Sequence, residues 1–165
     1  MYFKNTYGET KKGVGKYEQG YFIPEFPRKY QGDINRIFYR SSWEKIFMRK
    51  FCDLNPDCVL WSSEEHAIPY YNPLDKKQHR YFVDFFVVVR QEDRHVGLFI
   101  EIKPSKQLKQ PMLKEGYKTT KRINRYNKEV EEYIKNMAKW KAAKEFAKER
   151  GCEFLIITEK QLNFN

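Results

Sequence analysis

The chain of 165 residues contains no run near the roughly 20 apolar residues that a bilayer-crossing helix needs, so no membrane partner is expected. Its N-terminus, Met1-Tyr2-Phe3-Lys4, has no apolar signal core, and secretion by that route is not expected. Cysteine is scarce. Cys52, Cys58 and Cys152 are too few and too scattered for a disulfide framework. The 52/58 pair also lacks the short gap and the histidine partners of a zinc site, so reduced thiols in a cytosol-like compartment are the expectation. His66, His79 and His95 are too dispersed for a ligand set and read as ordinary hydrogen-bonding residues. Gly13-Val14-Gly15 is no phosphate loop, because neither a strand-turn-helix frame nor a Gly-Lys-Ser/Thr ending accompanies it.

Aromatic residues, by contrast, make up 17% of the chain, which argues against disorder. The length suits a single domain with a proper core, burying about two-thirds of the unfolded surface. The charge is high and unevenly placed. The formal net charge is +10, of which residues 103–150 carry +9 and residues 1–102 only +2. A field concentrated in one segment attracts polyanions. A solvated lysine-rich helix face is the bland alternative.

Residues 1–35 hold five of the eight glycines, with Pro24 and Pro27, and read as an irregular arm ahead of a single domain over 36–165. Ser41 or Ser42 caps a helix from about Ser42 to Leu54, with Trp43, Ile46, Phe47, Phe51 and Leu54 at helical spacing. Strands are predicted at Val59–Trp61, Ala67–Tyr71, Arg80–Arg90, Leu98–Lys103 and Glu153–Thr158. Gln91–Gly97 reads as a polar connection, short enough to favour an antiparallel hairpin. Thr119–Arg150 has helical periodicity, with Ile123, Tyr126, Val130, Tyr133, Ile134, Met137, Trp140 and Phe146 on one side, and suits one helix or two. Gly151 ends it. The order predicts an α/β fold, a mixed sheet flanked by helices.

Asp84 sits inside the apolar Arg80–Arg90 run, where an ionised carboxylate is costly unless paired. Glu101 and Lys103 leave one face of the following strand. In a hairpin Asp84 lies across from Glu101, and two carboxylates about 4 Å apart repel by roughly 4 kcal/mol at an effective dielectric of 20. A divalent cation removes that repulsion. Two acids plus waters and a substrate phosphate are what Mg²⁺ uses, and Mn²⁺ suits the same oxygens. Lys103 is placed to orient or help deprotonate a water, or to stabilise charge on a scissile phosphate. The competing reading pairs the two acids with Arg80 or Lys103. Glu44, in the first turn of the first helix, reads either as a dipole-favoured carboxylate or as a fourth member of the set. Glu64 and Glu65 are candidates for the site or for an ion pair with Arg40. Lys106, Lys109, Lys114, Lys118, Lys121, Arg122 and Arg125 follow directly and are the candidates for gripping DNA phosphates, since backbone contact needs charge and no sequence code. Lys139 and Lys141 are further candidates, and Trp140 reads as core.

Asp84 with Glu101-Ile102-Lys103 and an upstream helical Glu44 resembles the PD-(D/E)xK nuclease superfamily. More narrowly, the chain is similar to the head-completion nucleases of T-even-like tailed phages, relatives of the TnsA-type transposase endonucleases. The similarity runs from about Tyr30 and includes Tyr39-Arg40-Ser41-Ser42-Trp43-Glu44, Trp61-Ser62-Ser63-Glu64, Ile68-Pro69-Tyr70, Arg80-Tyr81-Phe82-Val83-Asp84, Phe99-Ile100-Glu101-Ile102-Lys103-Pro104 and Trp140-Lys141-Ala142-Ala143. Val83 stands where the superfamily has Pro. The resemblance implies a restriction-endonuclease-like core and Mg²⁺-dependent hydrolysis of phosphodiester bonds in double-stranded DNA. It implies metal ligation by Asp84, Glu101 and the Ile102 carbonyl, with Lys103 as the catalytic lysine and Glu44 as an accessory acid at the metal. It further implies a role in finishing the DNA-filled head, portal or head–neck proteins as partners, and a place in the host cytoplasm during assembly or in the virion. Two alternatives stand beside it: a non-catalytic DNA- or portal-binding head-closure protein on a nuclease fold, and a TnsA-like transposon or restriction endonuclease.

Overall fold

The computed structural model describes residues 11–12, 18–113, 115–116 and 119–162. In chain order the elements are β1 (Lys11–Lys12), β2 (Glu18–Tyr21), β3 (Phe38–Tyr39), α1 (Ser42–Phe47), β4 (Cys58–Ser63), β5 (Ala67–Asn72), β6 (Lys77–Phe82), β7 (Phe85–Gln91), β8 (Arg94–Ile102), α2 (Thr120–Glu149), β9 (Glu153–Ile157) and α3 (Glu159–Leu162). The central sheet runs β4-β7-β8-β9, antiparallel except for the parallel pair β8/β9, which α2 connects. The expected mixed sheet flanked by helices is what forms. β5 and β6 make a separate antiparallel hairpin, and β1, β2 and β3 a small antiparallel sheet.

The pleat of β7 and β8 divides the core. Phe85, Val87, Ile100 and Ile102 join Phe47, Met48, Cys52 and Trp61 on one side. Phe99 joins Val83, Ile68, Tyr70, Tyr81, Ala143 and Ala147 on the other, beneath α2 and the β5/β6 hairpin. From residue 18 the expected arm is tied to this body. Phe22 and Tyr30 are buried, their rings edge-on to Trp61 at 5.8 and 4.7 Å, and a 3₁₀ turn spans Pro27–Lys29.

Several sequence expectations shift in register or extent. The single strand Arg80–Arg90 is two strands, because β6 pairs with β5 as far as Phe82 and the chain then changes partners. At the break Val83 N–H donates to the His66 carbonyl, and Glu64 N–H donates to the Asp84 carbonyl. Asp84 therefore occupies a junction rather than mid-strand. The polar stretch Gln91–Gly97 is mostly strand: β7 and β8 stay paired out to Gln91↔Arg94 around the two-residue turn Glu92-Asp93, with Glu92 at φ 51°. The first helix begins as predicted, Ser41 accepting from the Glu44 N–H, but from Met48 to Asp53 it widens into a π-helix that turns Met48, Cys52 and Asp53 inward together. Pro69 is tolerated because β5 has a partner on one edge only.

The long periodic segment forms one helix, α2, capped by Thr119. Its buried residues, Asn136, Trp140, Ala143 and Ala147, all belong to the C-terminal half, whereas Ile123 is exposed. The first half, which carries Lys121, Arg122 and Arg125, thus keeps its basic side chains in solvent. Gly151 ends the helix at φ +65°, with its N–H on the Lys148 carbonyl. No atom lies within 4 Å of an added Cβ there, so only backbone conformation disfavours a side chain. Gly151→Ala is expected to cost about 1–2 kcal/mol, a fall of roughly 2–8 °C in melting temperature that calorimetry resolves.

Candidate active site

The site lies where β7 begins and β8 ends. The pairing Phe85↔Ile100 sets Asp84 beside Glu101, one residue ahead of the first paired residue of β7. The Ile102 N–H donates to Asp84 Oδ2 at 2.7 Å and fixes the carboxylate. Glu101 and Lys103 leave the same face as expected, with Lys103 Nζ 3.1 Å from Glu101 Oε1. The strand end is held from behind as well. Lys103 N–H donates to the Ile157 carbonyl at 2.9 Å, and Ser105 donates through both its N–H and its hydroxyl to the Glu159 carboxylate on α3.

Electrostatics mark the same atoms. Burial, and then the charge of Glu101, push the Asp84 carboxyl well above the usual carboxylate range. Burial alone would lower Lys103, but the Glu101 and Asp84 carboxylates outweigh it and hold the amine up, as a cation. Glu101 is 4% exposed, and its Oε2 has no hydrogen-bond partner among the described residues. Two adjacent buried carboxylates, one with an orphaned oxygen and the other raised by its neighbour, are a donor set that a hard divalent cation fits. Among the described residues no three His, Cys, Asp or Glu side chains cluster as metal ligands.

Glu44 does local work. Its Oε2 accepts from the Arg40 N–H at 2.8 Å and its Oε1 from the Ser41 hydroxyl at 3.0 Å, while Ser41 Oγ accepts from the Glu44 N–H, a variant of the capping box shifted one residue back. Burial raises its carboxyl, and its charge is felt at Asp84, so it borders the site while both oxygens serve the cap. Glu64 pairs with Arg40 at 2.8 Å. His66 packs its ring against Phe86 and Phe99, and His79 pairs with Asp75.

Of the basic candidates, Lys106 and Lys109 lie exposed just past β8, where a 3₁₀ turn spans Ser105–Leu108, and Lys121, Arg122 and Arg125 line the exposed start of α2. Lys114 and Lys118 lie outside the described residues. Lys139 sits over the rings of Tyr70 and Tyr81 at 5.8 and 5.6 Å, and Lys141 is exposed. Trp140 is buried.

Tyr81 was not among the sequence candidates. It is 7% exposed, its hydroxyl has no hydrogen-bond partner among the described residues, and burial together with the Glu101 and Asp84 carboxylates raises it. Nothing in the sequence separates it from the other eleven tyrosines; only the β6–β7 junction brings it to the carboxylates.

Residues 55–159 match the family described as TnsA-like endonuclease N terminal. The chain is 39% identical over 143 residues to the head completion nuclease of Enterobacteria phage T4, an alignment covering 87% of this chain and 92% of that protein. No solved structure matches significantly. The matched segment begins ahead of β4 and ends in α3, so it contains Asp84, Glu101 and Lys103 on the elements just described. The chain belongs to the TnsA-like endonuclease family.

Proposed function

We propose that this protein is a metal-dependent deoxyribonuclease that hydrolyses phosphodiester bonds of double-stranded DNA during phage head completion. The observation that carries the proposal is the buried Asp84–Glu101 pair with Lys103 ion-paired beside it, at the end of a β-hairpin within a family of endonucleases. Asp84, Glu101 and the Ile102 carbonyl are the groups that would hold Mg²⁺ or Mn²⁺, with Glu44 as an accessory acid that would give up capping hydrogen bonds to join them. When bound, such an ion neutralises the two carboxylates and polarises a phosphoryl oxygen.

The chain's own residues do the rest. Lys103, kept cationic by two carboxylates, is better suited to stabilising charge on the phosphate and orienting the attacking water than to removing a proton from it. Ile102 N–H keeps Asp84 in a single orientation, and the Ser105–Glu159 bonds keep the chain after Lys103 in place. Lys106, Lys109, Lys121, Arg122 and Arg125 present a cationic surface beside the site. Portal or head–neck proteins are the proposed partners, met in the host cytoplasm during assembly or in the virion.

Plasmid nicking with Mg²⁺, with Mn²⁺ and with chelator tests the assignment. Lys103→Ala is expected to lower the rate by about 10²–10³-fold, the scale for losing one preorganised electrostatic group. Nicking that survives both the substitution and chelation would overturn the proposal. A folded protein that binds duplex but never cuts it would point instead to a non-catalytic head-closure role.

A further inference from the structure

We propose that Asn136 is a substrate-positioning residue: the cleft that it lines takes a backbone phosphate of the DNA strand beside the catalytic site, and its side-chain amide donates to a phosphate oxygen. The inference rests on the nuclease reading and adds a subsite to it. The cleft, of about 540 Å³, opens between the segment after Lys103 and the middle of α2. One wall carries Lys106 and Lys109, three and six residues beyond Lys103; the other carries Arg125, Glu129 and Glu132. Glu132 is near enough for its charge to act on Lys103, which places the cleft next to the catalytic centre.

The wall charges leave a cationic surplus. Glu129 is paired with Arg125 at 3.0 Å and Glu132 with Lys135 at 3.0 Å. Lys106 and Lys109 have no acidic partner among the described residues. An anionic ligand suits them. Asn136 is 2% exposed, and its Nδ2 has no hydrogen-bond partner among the described residues. It occupies a position on the face of α2 otherwise filled by Trp140, Ala143 and Ala147, where an apolar side chain would serve packing better. An unpartnered buried donor is destabilising, and the unmet group is a donor, so the missing partner is an acceptor. A phosphate oxygen satisfies the amide and the lysines together. A base edge would leave the lysines without a role.

The test uses the full chain and a short fluorescent duplex. Asn136→Leu is expected to melt at or above the wild-type temperature, since it removes an unsatisfied polar group. Its duplex affinity in chelator is expected to fall roughly 10-fold, the scale of one hydrogen bond to a charged group, and kcat/KM for nicking to fall at least as far. Asn136→Ser, which keeps a donor, should recover most of the loss. A single methylphosphonate walked along one strand then locates the contact: at one phosphate the wild type should lose the same factor, and Asn136→Leu should lose nothing more. Unchanged affinity in a folded Asn136→Leu, or additive losses at every phosphate, overturns the proposal. Should Asn136→Leu fail to fold, the Asn136→Ser deficit must fall on one phosphate, and an even deficit overturns the proposal equally. Failure of the nuclease reading looks different: no nicking with any divalent metal, while the metal-free affinity gap between wild type and Asn136→Leu persists.

Discussion

Asp84→Asn is expected to abolish metal-dependent nicking and at the same time raise the melting temperature of the metal-free protein. The amide keeps the shape of the carboxylate, and its oxygen still accepts from the Ile102 N–H that now meets Asp84 Oδ2 at 2.7 Å. What disappears is a carboxyl that burial and Glu101 together make costly in the absence of a cation. Removing it should stabilise the metal-free fold by about 1–2 kcal/mol, in the range of single stabilising substitutions at functional sites. At roughly 2–4 °C per kcal/mol for a chain of this size, that is a rise of about 2–8 °C. Cleavage should drop by at least about 10³-fold, since the substitution removes a ligand and weakens the site's hold on the ion. Wild type should gain thermal stability as Mg²⁺ or Mn²⁺ is titrated in, through preferential binding to the folded state, and Asp84→Asn should not. Calorimetry with and without metal, beside the nicking assay, checks both halves. A metal-free Asp84→Asn that melts well below wild type would mean that Asp84 is held by structural contacts, and the case for a metal pair at this position would fail.

The second large effect concerns stability alone. Asp53→Ala is expected to lower the melting temperature by about 6–20 °C without altering the chemistry of the remaining folded protein. Asp53 is fully buried at the end of the π-helix, where its two oxygens accept from the N–H groups of Glu25 and Phe26 at 2.8 Å each and from the Arg49 guanidinium. Arg49 in turn donates to the Ile23 carbonyl at 3.0 Å and stacks its guanidinium over the Phe22 ring at 4.5 Å. This clamp holds residues 22–26 against the body. Alanine leaves the two N–H groups and the guanidinium without their acceptor, and breaking a buried pair of this kind costs about 3–5 kcal/mol. At the scale used above, that converts to the stated fall. Asp53→Asn, which keeps an acceptor, should lie between. A change under about 2 °C would show that residues 18–35 contribute little to stability. A loss of cleavage in protein still folded at low temperature would show that the clamp reaches the active site.

Asp53 also illustrates how far the sequence could be read. Its chemistry is local to no motif: an aspartate in the last turn of a predicted helix resembles any solvated acid until the chain from 22 to 26 folds back onto it. The expectation of an irregular arm ahead of residue 36 came from glycine and proline content, which reports backbone freedom and is silent on whether scattered aromatics find a surface. Phe22 and Tyr30 find one on Trp61. The first helix start was legible because the capping hydroxyl of Ser41 and its N–H lie within three residues of each other, whereas the start near Thr119 was read from periodicity and its cap came with the structure.

The change of strand partner at Val83–Asp84 was not legible, because an apolar run looks the same whether it crosses one sheet or passes from a hairpin to a sheet. The same limit hid Tyr81. Asn136 left a trace, a polar residue on the packed face of an amphipathic helix, but its meaning depends on the cleft beside it.

By itself the sequence determined which chemistry-bearing side chains stand at fixed offsets: Asp84 just ahead of one strand, Glu101 and Lys103 two apart at the end of the next, and a cationic segment directly after them. Period-2 alternation puts Glu101 and Lys103 on one face whatever the rest of the chain does. Which groups approach that face was decided by tertiary structure alone. The ladder register sets Asp84 against the Ile102 N–H, the β5/β6 hairpin brings Tyr81 within reach of the carboxylates' charge, and α2 brings Glu132 within reach of Lys103. Such approaches depend on pairings between residues tens of positions apart, whose geometry no local pattern encodes.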